Sequence, residues 1–378
     1  FGDSNAKNDI VVDSANGSFY GLGKGMKAGN DVSVTAGDSV NYIGTIDAAN
    51  DINLSVKNPS TDVSGIYIGA GSILSDHEIG ATSLTAENNA RFDVKGNGDI
   101  VVGGSVKAGT GDVTTTVSGK GDVTITGSVE SEEASVSVQT GKGDIKIGTE
   151  NTPNEETIKA KQNVTVGTDL GTVYILGQTS TENGDITMKA GNEVYESGKE
   201  HGNFIIRDDG KLVSGGGIGL YGRNGDISIT EDIQANKSLT VHIAEQGNAS
   251  FDRDVTVTKD VDISTDKGSI TVGKTVNSDE GTISLQSGAG DISVGKDVTA
   301  GNDIAISTKE GNIVVGDTVT GDDGDLLSKN GNVSIRTNNG NVGIVKTVTA
   351  QEGSIDIASG QGDILIGNNG PDVNTVTA

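Results

Sequence analysis

Residues 290–310 read GDISVGKDVTAGNDIAISTKE. Ile292 and Val294 stand two apart, as do Ile304 and Ile306, and Val298 lies between the two pairs. A spacing of two places side chains on one face of an extended strand. The stretch therefore predicts three short strands whose Val and Ile point inward, with Ser293, Thr299 and Ala305 facing out. Between them sit Gly295-Lys296, Gly301-Asn302 and Glu310-Gly311. Gly, Asn and Asp accept the backbone conformations that sharp corners demand.

The same pattern recurs on both sides. Units open at Gly225, Gly247, Gly268, Gly290 and Gly311, separated by 22, 21, 22 and 21 residues, and again at Gly340. Aligning them gives columns. The first strand contributes Ile227, Phe251, Val272, Val294, Val315 and Ile344 at its second inward position. The middle strand contributes Ile233, Val255, Val276, Val298, Val319 and Val348. The third contributes Val241, Ile263, Leu285, Ile306, Ile335 and Ile357. Stacked at strand spacing, each column becomes a side-chain ladder and each strand joins a parallel sheet. The expected fold is all-β, a right-handed parallel β-helix (β-solenoid) with three sheets and about 16–18 coils of ~21 residues. Ile292, Val294, Val298, Ile304 and Ile306 are its expected core ladder.

Composition fits that reading. The chain has 58 Gly, no Cys, no Trp and 3% aromatic residues, too few large side chains for an ordinary globular core. Disorder is the rival on composition, and the regular Val/Ile spacing argues against it. An α/β fold fails because no capped stretch of helical period exists and the gaps are too short for crossover helices. An antiparallel sandwich suits the short strands and turns less well than aligned columns do. The formal charge of −26 repels phosphate backbones, so nucleic acid is not an expected partner. No apolar run is long enough to span a membrane.

Residues 1–97 read as irregular N-terminal coils and 98–378 as the regular solenoid, in one continuous domain. Loop insertions are expected near 148–157, 190–217 and 321–330. Phe1 begins the sequence and a coil pattern is still running at Ala378, so a longer protein is expected, with end-to-end self-association as the other way to cover open coils. The 190–217 insertion gathers Tyr195, His201, Phe204 and Arg207, residue types that anchor interfaces, against the plainer reading of a surface hairpin. His77, His201 and His242 are far apart in the coil register and read as surface histidines. The corner series Asp226, Asn248, Ser269, Asp291, Asn312 reads as corner geometry with hydrogen-bonding ladders. Calcium is its sharper alternative, but the GGxGxDxUx nonapeptide is missing, so no metal or cofactor is assigned. The faces carry almost no aromatics for sugar stacking, so no catalytic residues are assigned either. A TxT ice-binding array is broken by Gln, Asn and Lys.

With those residues in view, GDISVGKDVTAGNDIAISTKE and its neighbours resemble the repeats of the filamentous haemagglutinin-like exoproteins of two-partner secretion, in the pattern G-(D/N)-I-x-V…V-x-A…(D/N)-I-x-I. Autotransporter passengers share the architecture. The resemblance covers most of the chain, most clearly from Gly98 onward. It implies an extracellular or cell-surface adhesin, threaded unfolded through an outer-membrane partner and attaching to a host or bacterial receptor or glycan. NPNG- and NPNL-type secretion motifs do not occur, so the segment would be a central shaft. A polysaccharide-active β-helix enzyme and a self-assembling filament or surface-layer component are the alternatives.

Overall fold

The computed structural model describes residues 3–60, 64–69, 82–149, 156–191, 204–207, 210–317, 323–367 and 376–377. The fold is an all-β parallel solenoid with three sheets and about 22 residues per turn, and no helix occurs among the described residues. Two compact units divide the chain, Phe1–Val194 and Tyr195–Ala378.

In the Tyr195–Ala378 unit the first sheet is built from Phe204–Arg207, Ile227–Ile229, Ala249–Phe251, Ile270–Val272, Ile292–Val294, Ile313–Val315, Val342–Ile344 and Ile364–Ile366. Each is too short to stand alone, and those from Ile227–Ile229 to Val342–Ile344 pair in parallel with the strand one coil before and the strand one coil after. Ile292, Val298 and Ile304 illustrate the register. They pair with Ile270, Val276 and Ile283 behind and with Ile313, Leu326 and Val333 ahead. All five residues of the expected core ladder are buried. Alternation is strict: in Ile292–Val294 and Val298–Ala300 the inward residues are buried and Ser293 and Thr299 are part-exposed. β-branched Val and Ile pack well on such half-buried pleats.

In the Phe1–Val194 unit the third sheet runs in register from Ile10 through Val32, Ile52, Ala90, Val113, Val136 and Val164 to Ile186. The first coils here are irregular in a specific way. Phe19–Ala28 and Ser39–Ala48 each run through what are two separate strands in later coils, with a register shift between Leu22 and Gly25. Phe19 and Tyr42 stack inside, ring centroids 6.5 Å apart.

Three details of the sequence reading change. The two units together hold about 14 turns rather than 16–18. Dividing length by period ignores long coils: Ile52 pairs with Ala90, 38 residues on, Val136 with Val164, 28 on, and Ile304 with Val333, 29 on. Ile229, not Ile227, shares the register of Phe251, because Ile227 pairs with Ala249. Leu326, not Val319, follows Val298 in the middle column, and Val319 lies outside the described residues. The extra residues of that coil therefore fall between Gly316 and Leu326.

Candidate functional site: corners and outward faces

Asp, Asn and Ser concentrate where a coil turns into its next strand, and the structure gives them one job. Asp226 Oδ1 accepts the main-chain N–H of Asn248 at 2.7 Å, and the N–H of Ile227 donates to the carbonyl of Asn248 at 2.8 Å. Two consecutive residues of one coil thus grip both polar main-chain groups of the corner residue in the next. Along the same edge Asn248 holds Ser269, Ser269 holds Asp291, Asp291 holds Asn312, Asn312 holds Asn341, and Asn341 holds Asp363. Buried or half-buried corner amides need such partners, and a side-chain oxygen supplies them where the strand ladder has stopped.

The other two corners repeat the device. Before the third sheet, Asp31, Asp51, Asn89 and Asp112 each accept from the corner N–H one coil on, at 2.9–3.1 Å. Before the middle sheet, Asp232 holds Asp254, Asp254 holds Thr275, and Asp297 holds Asp325, which holds Thr347. Along the first edge Asn and Ser separate the acids, so like charges do not stack there, whereas the other two corners place Asp31 beside Asp51, Asp232 beside Asp254 and Asp297 beside Asp325.

Two further columns close the corner. At Gly247 φ is +151°, and a Cβ there would lie 2.0 Å from the carbonyl oxygen of Gly225, so only glycine fits. Just inside, Ser287, Thr308, Thr337 and Ser359 donate their hydroxyls to the carbonyls of Gly268, Gly290, Gly311 and Gly340 at 2.8–2.9 Å.

One corner carboxylate does more. Asp38 Oδ1 accepts from Ser60 N–H (2.8 Å), Ser60 Oγ (2.6 Å) and Ser64 Oγ (2.7 Å), while Oδ2 accepts from Ser18 Oγ at 3.2 Å. The Ser60 and Ser64 hydroxyls above all hold this carboxyl down to about 2. Asp38 thereby ties together the segments before the Phe19 strand and after Asn58-Pro59.

The outward rows differ between the units. On the middle face of the first unit, Lys27 pairs with Asp47 at 2.8 Å, and Lys107 lies 3.6 Å from Glu130, which also faces Lys159 at 3.6 Å. Successive coils place these in one register, so the row alternates in sign. In the second unit the matching row is uncharged, with Gln234, Thr256, Asn277, Thr299, Leu327 and Thr349.

His242 projects from the third face and its Nδ1 lies 2.9 Å from Ser264 Oγ. His77, Tyr195 and His201 lie outside the described residues. Phe204 and Arg207 belong to a strand of the first sheet, where Phe204 pairs with Ile227. The coil pattern thus resumes at Phe204, with Leu212–Ser214 as its middle strand. The signal was present in the sequence: Gly202-Asn203-Phe204-Ile205-Ile206 is the unit opening with Phe in place of Ile. Among the described residues no group of three or more His, Cys, Asp or Glu is placed to hold a metal ion. Among the described residues no helix is long and apolar enough to cross a membrane. No family model, curated protein or solved structure matches the chain.

Proposed function

We propose that the chain is a structural and adhesive shaft of a large secreted or surface-attached bacterial exoprotein. It holds binding elements away from the cell and offers its own faces to other surfaces. The corner clamps carry this reading. The Asp, Asn and Ser side chains at the corners, polar groups that could otherwise serve a reactive site, are committed coil after coil to holding the next coil. The uncharged outward row from Gln234 to Thr349 adds support, since uncharged side chains, polar but for Leu327, suit broad contact without the desolvation cost of charges. On this reading the partners are a host or bacterial surface receptor or glycan and an outer-membrane secretion partner, and the location is extracellular.

The test is retention of beads coated with the purified chain on cells and on immobilised glycans. Saturable retention is expected. Deleting 192–203 is expected to weaken it, and unchanged retention would remove that segment as the binding element. Absence of retention on every surface, or turnover of an acidic polysaccharide by the purified chain, would overturn the adhesive reading in favour of a different or enzymatic one.

A further inference from the structure

We propose that Asn16-Gly17 is a built-in site of covalent modification, at which asparagine converts through a cyclic imide to aspartate and isoaspartate while the Asn-Gly pairs at Asn97, Asn224, Asn330 and Asn339 are shielded. In this reaction the main-chain nitrogen of the glycine attacks Cγ of the preceding asparagine. A C–N bond forms, the glycine amide proton passes to solvent, and the Cγ–Nδ2 bond breaks with release of ammonia. Water then opens the ring at either carbonyl. The step needs a glycine N–H free of a strong acceptor and an asparagine side chain free to swing back.

Six Asn-Gly pairs begin within the described residues, at Asn16, Asn97, Asn183, Asn224, Asn330 and Asn339. Four are held. The N–H groups of Gly98, Gly225 and Gly340 donate to the carbonyls of Lys120, Gln246 and Gln361 at 2.8–3.0 Å. That of Gly331 donates to Ser328 Oγ at 3.0 Å. Three of the four asparagines are also held by their side chains. Asn97 Oδ1 accepts from Lys120 N–H at 2.9 Å, Asn224 Nδ2 donates to Glu245 at 3.0 Å, and Asn330 Nδ2 donates to the Gly301 carbonyl at 2.9 Å. In three of the four pairs both reacting groups are thus withheld, and at Asn339 the glycine N–H is.

Asn16 differs. It lies in the turn between the Ile10–Ser14 and Phe19–Ala28 strands, its side chain is exposed, and among the described residues neither that side chain nor the Gly17 N–H makes a hydrogen bond. The next coil engages this turn through its carbonyls and the Ser18 hydroxyl, not through Asn16 or the Gly17 N–H: Gly37 N–H donates to Ser14 and Gly17 oxygens at 2.7 and 2.9 Å, Asp38 N–H donates to the Gly17 oxygen at 3.1 Å, and Ser18 Oγ donates to Asp38 Oδ2 at 3.2 Å.

The position also makes the modification consequential. Gly37 packs directly on the turn, since a Cβ on it would lie 2.7 Å from Asn16 Cα. Isoaspartate adds a methylene to the main chain at that point. It therefore moves the Gly17 carbonyl away from Gly37 and Asp38, the residue whose carboxylate gathers Ser18, Ser60 and Ser64.

The full chain is aged in mildly alkaline buffer, and each Asn-Gly peptide is quantified by mass spectrometry with chromatographic separation of the aspartate and isoaspartate forms. The native chain is expected to convert Asn16 at least about tenfold faster than Asn97, Asn224, Asn330 and Asn339, because protected amides react only after local opening. The same chain in denaturant is expected to convert all of them at similar rates. Equal native rates, or an Asn16 that lags the others, would overturn the proposal. So would an Asn16 advantage that persists undiminished in denaturant, since local sequence rather than the fold would then set the rate.

Discussion

The main-chain N–H of Asn312 donates to Oδ1 of Asp291 at 2.6 Å, and the carbonyl of Asn312 accepts from the N–H of Ile292 at 2.9 Å. One side chain and one amide of a coil thus satisfy a whole corner residue of the next. The relationship makes Asp291 a structural residue on an exposed edge, where substitutions are usually close to neutral.

Asp291→Ala leaves the Asn312 N–H without its acceptor and is expected to cost about 1–2 kcal/mol in a denaturant titration. Asp291→Asn keeps an oxygen in place and is expected to lose less than half of that. Equal losses for the two variants would show that the charge, not the clamp, matters.

Glycines that look alike in the sequence separate sharply. Gly247→Ala places a Cβ 2.0 Å from the Gly225 carbonyl at φ +151° and is expected to be among the most damaging single changes. Gly343 faces outward from Val342–Ile344 with nothing nearer than 4.0 Å to an added Cβ. Gly343→Ala is expected to raise stability slightly, by roughly 0.5 kcal/mol, through a less flexible unfolded chain. Thermal melts of the two variants against the parent check both directions.

Thr115 is fully buried between Phe92 and Val138 in the third sheet, and its Oγ1 has no hydrogen-bond partner. Thr115→Val keeps the shape and removes an unsatisfied hydroxyl. A stabilisation of about 1 kcal/mol is expected. A loss of stability would mean that the hydroxyl is satisfied in solution.

Asp38 sets a pH dependence with a definite sign. Its carboxyl lies at about 2 in the folded chain, below its ordinary value of 3.8. A depressed folded value means that the stabilisation is present above the ordinary value and is lost as pH falls through the folded one. Screened by solvent at this surface position, Asp38 is thus expected to supply on the order of 1 kcal/mol that fades between roughly pH 4 and pH 2. Asp38→Asn is expected to flatten that part of the stability curve. An unchanged curve would remove the four-donor carboxylate as the cause.

The fold was legible because Val and Ile recur at a spacing of two within strands and at about 21–22 residues between coils. Ile306, Ile335 and Ile357 could be aligned by eye, and they pair as aligned. Alignment failed where the repeat is ambiguous about which inward position a residue fills, as at Ile227 and Ile229. It failed again where an apolar pair after a loop competes with one before it, as at Val319 and Leu326. The corner ladder was visible as a run of Asp, Asn and Ser, but its direction was not. That direction depends on which coil's amide meets which side chain, and composition carries no such information. No cluster of outward residues in the sequence separates a binding face from a solvated one, because Ser, Thr and Asn serve both.

Amide hydrogen exchange across residues 225–367 tests the clamped stack most directly. The N–H groups of Asn248, Ser269, Asp291, Asn312, Asn341 and Asp363 lie outside the strands, on exposed corners where amides ordinarily exchange fast. Each donates to a side-chain oxygen of the preceding coil. They are expected to exchange as slowly as strand amides such as those of Ile292 and Val298. Exchange of these six at the rate of open turns, beside slow strand amides, would contradict the account.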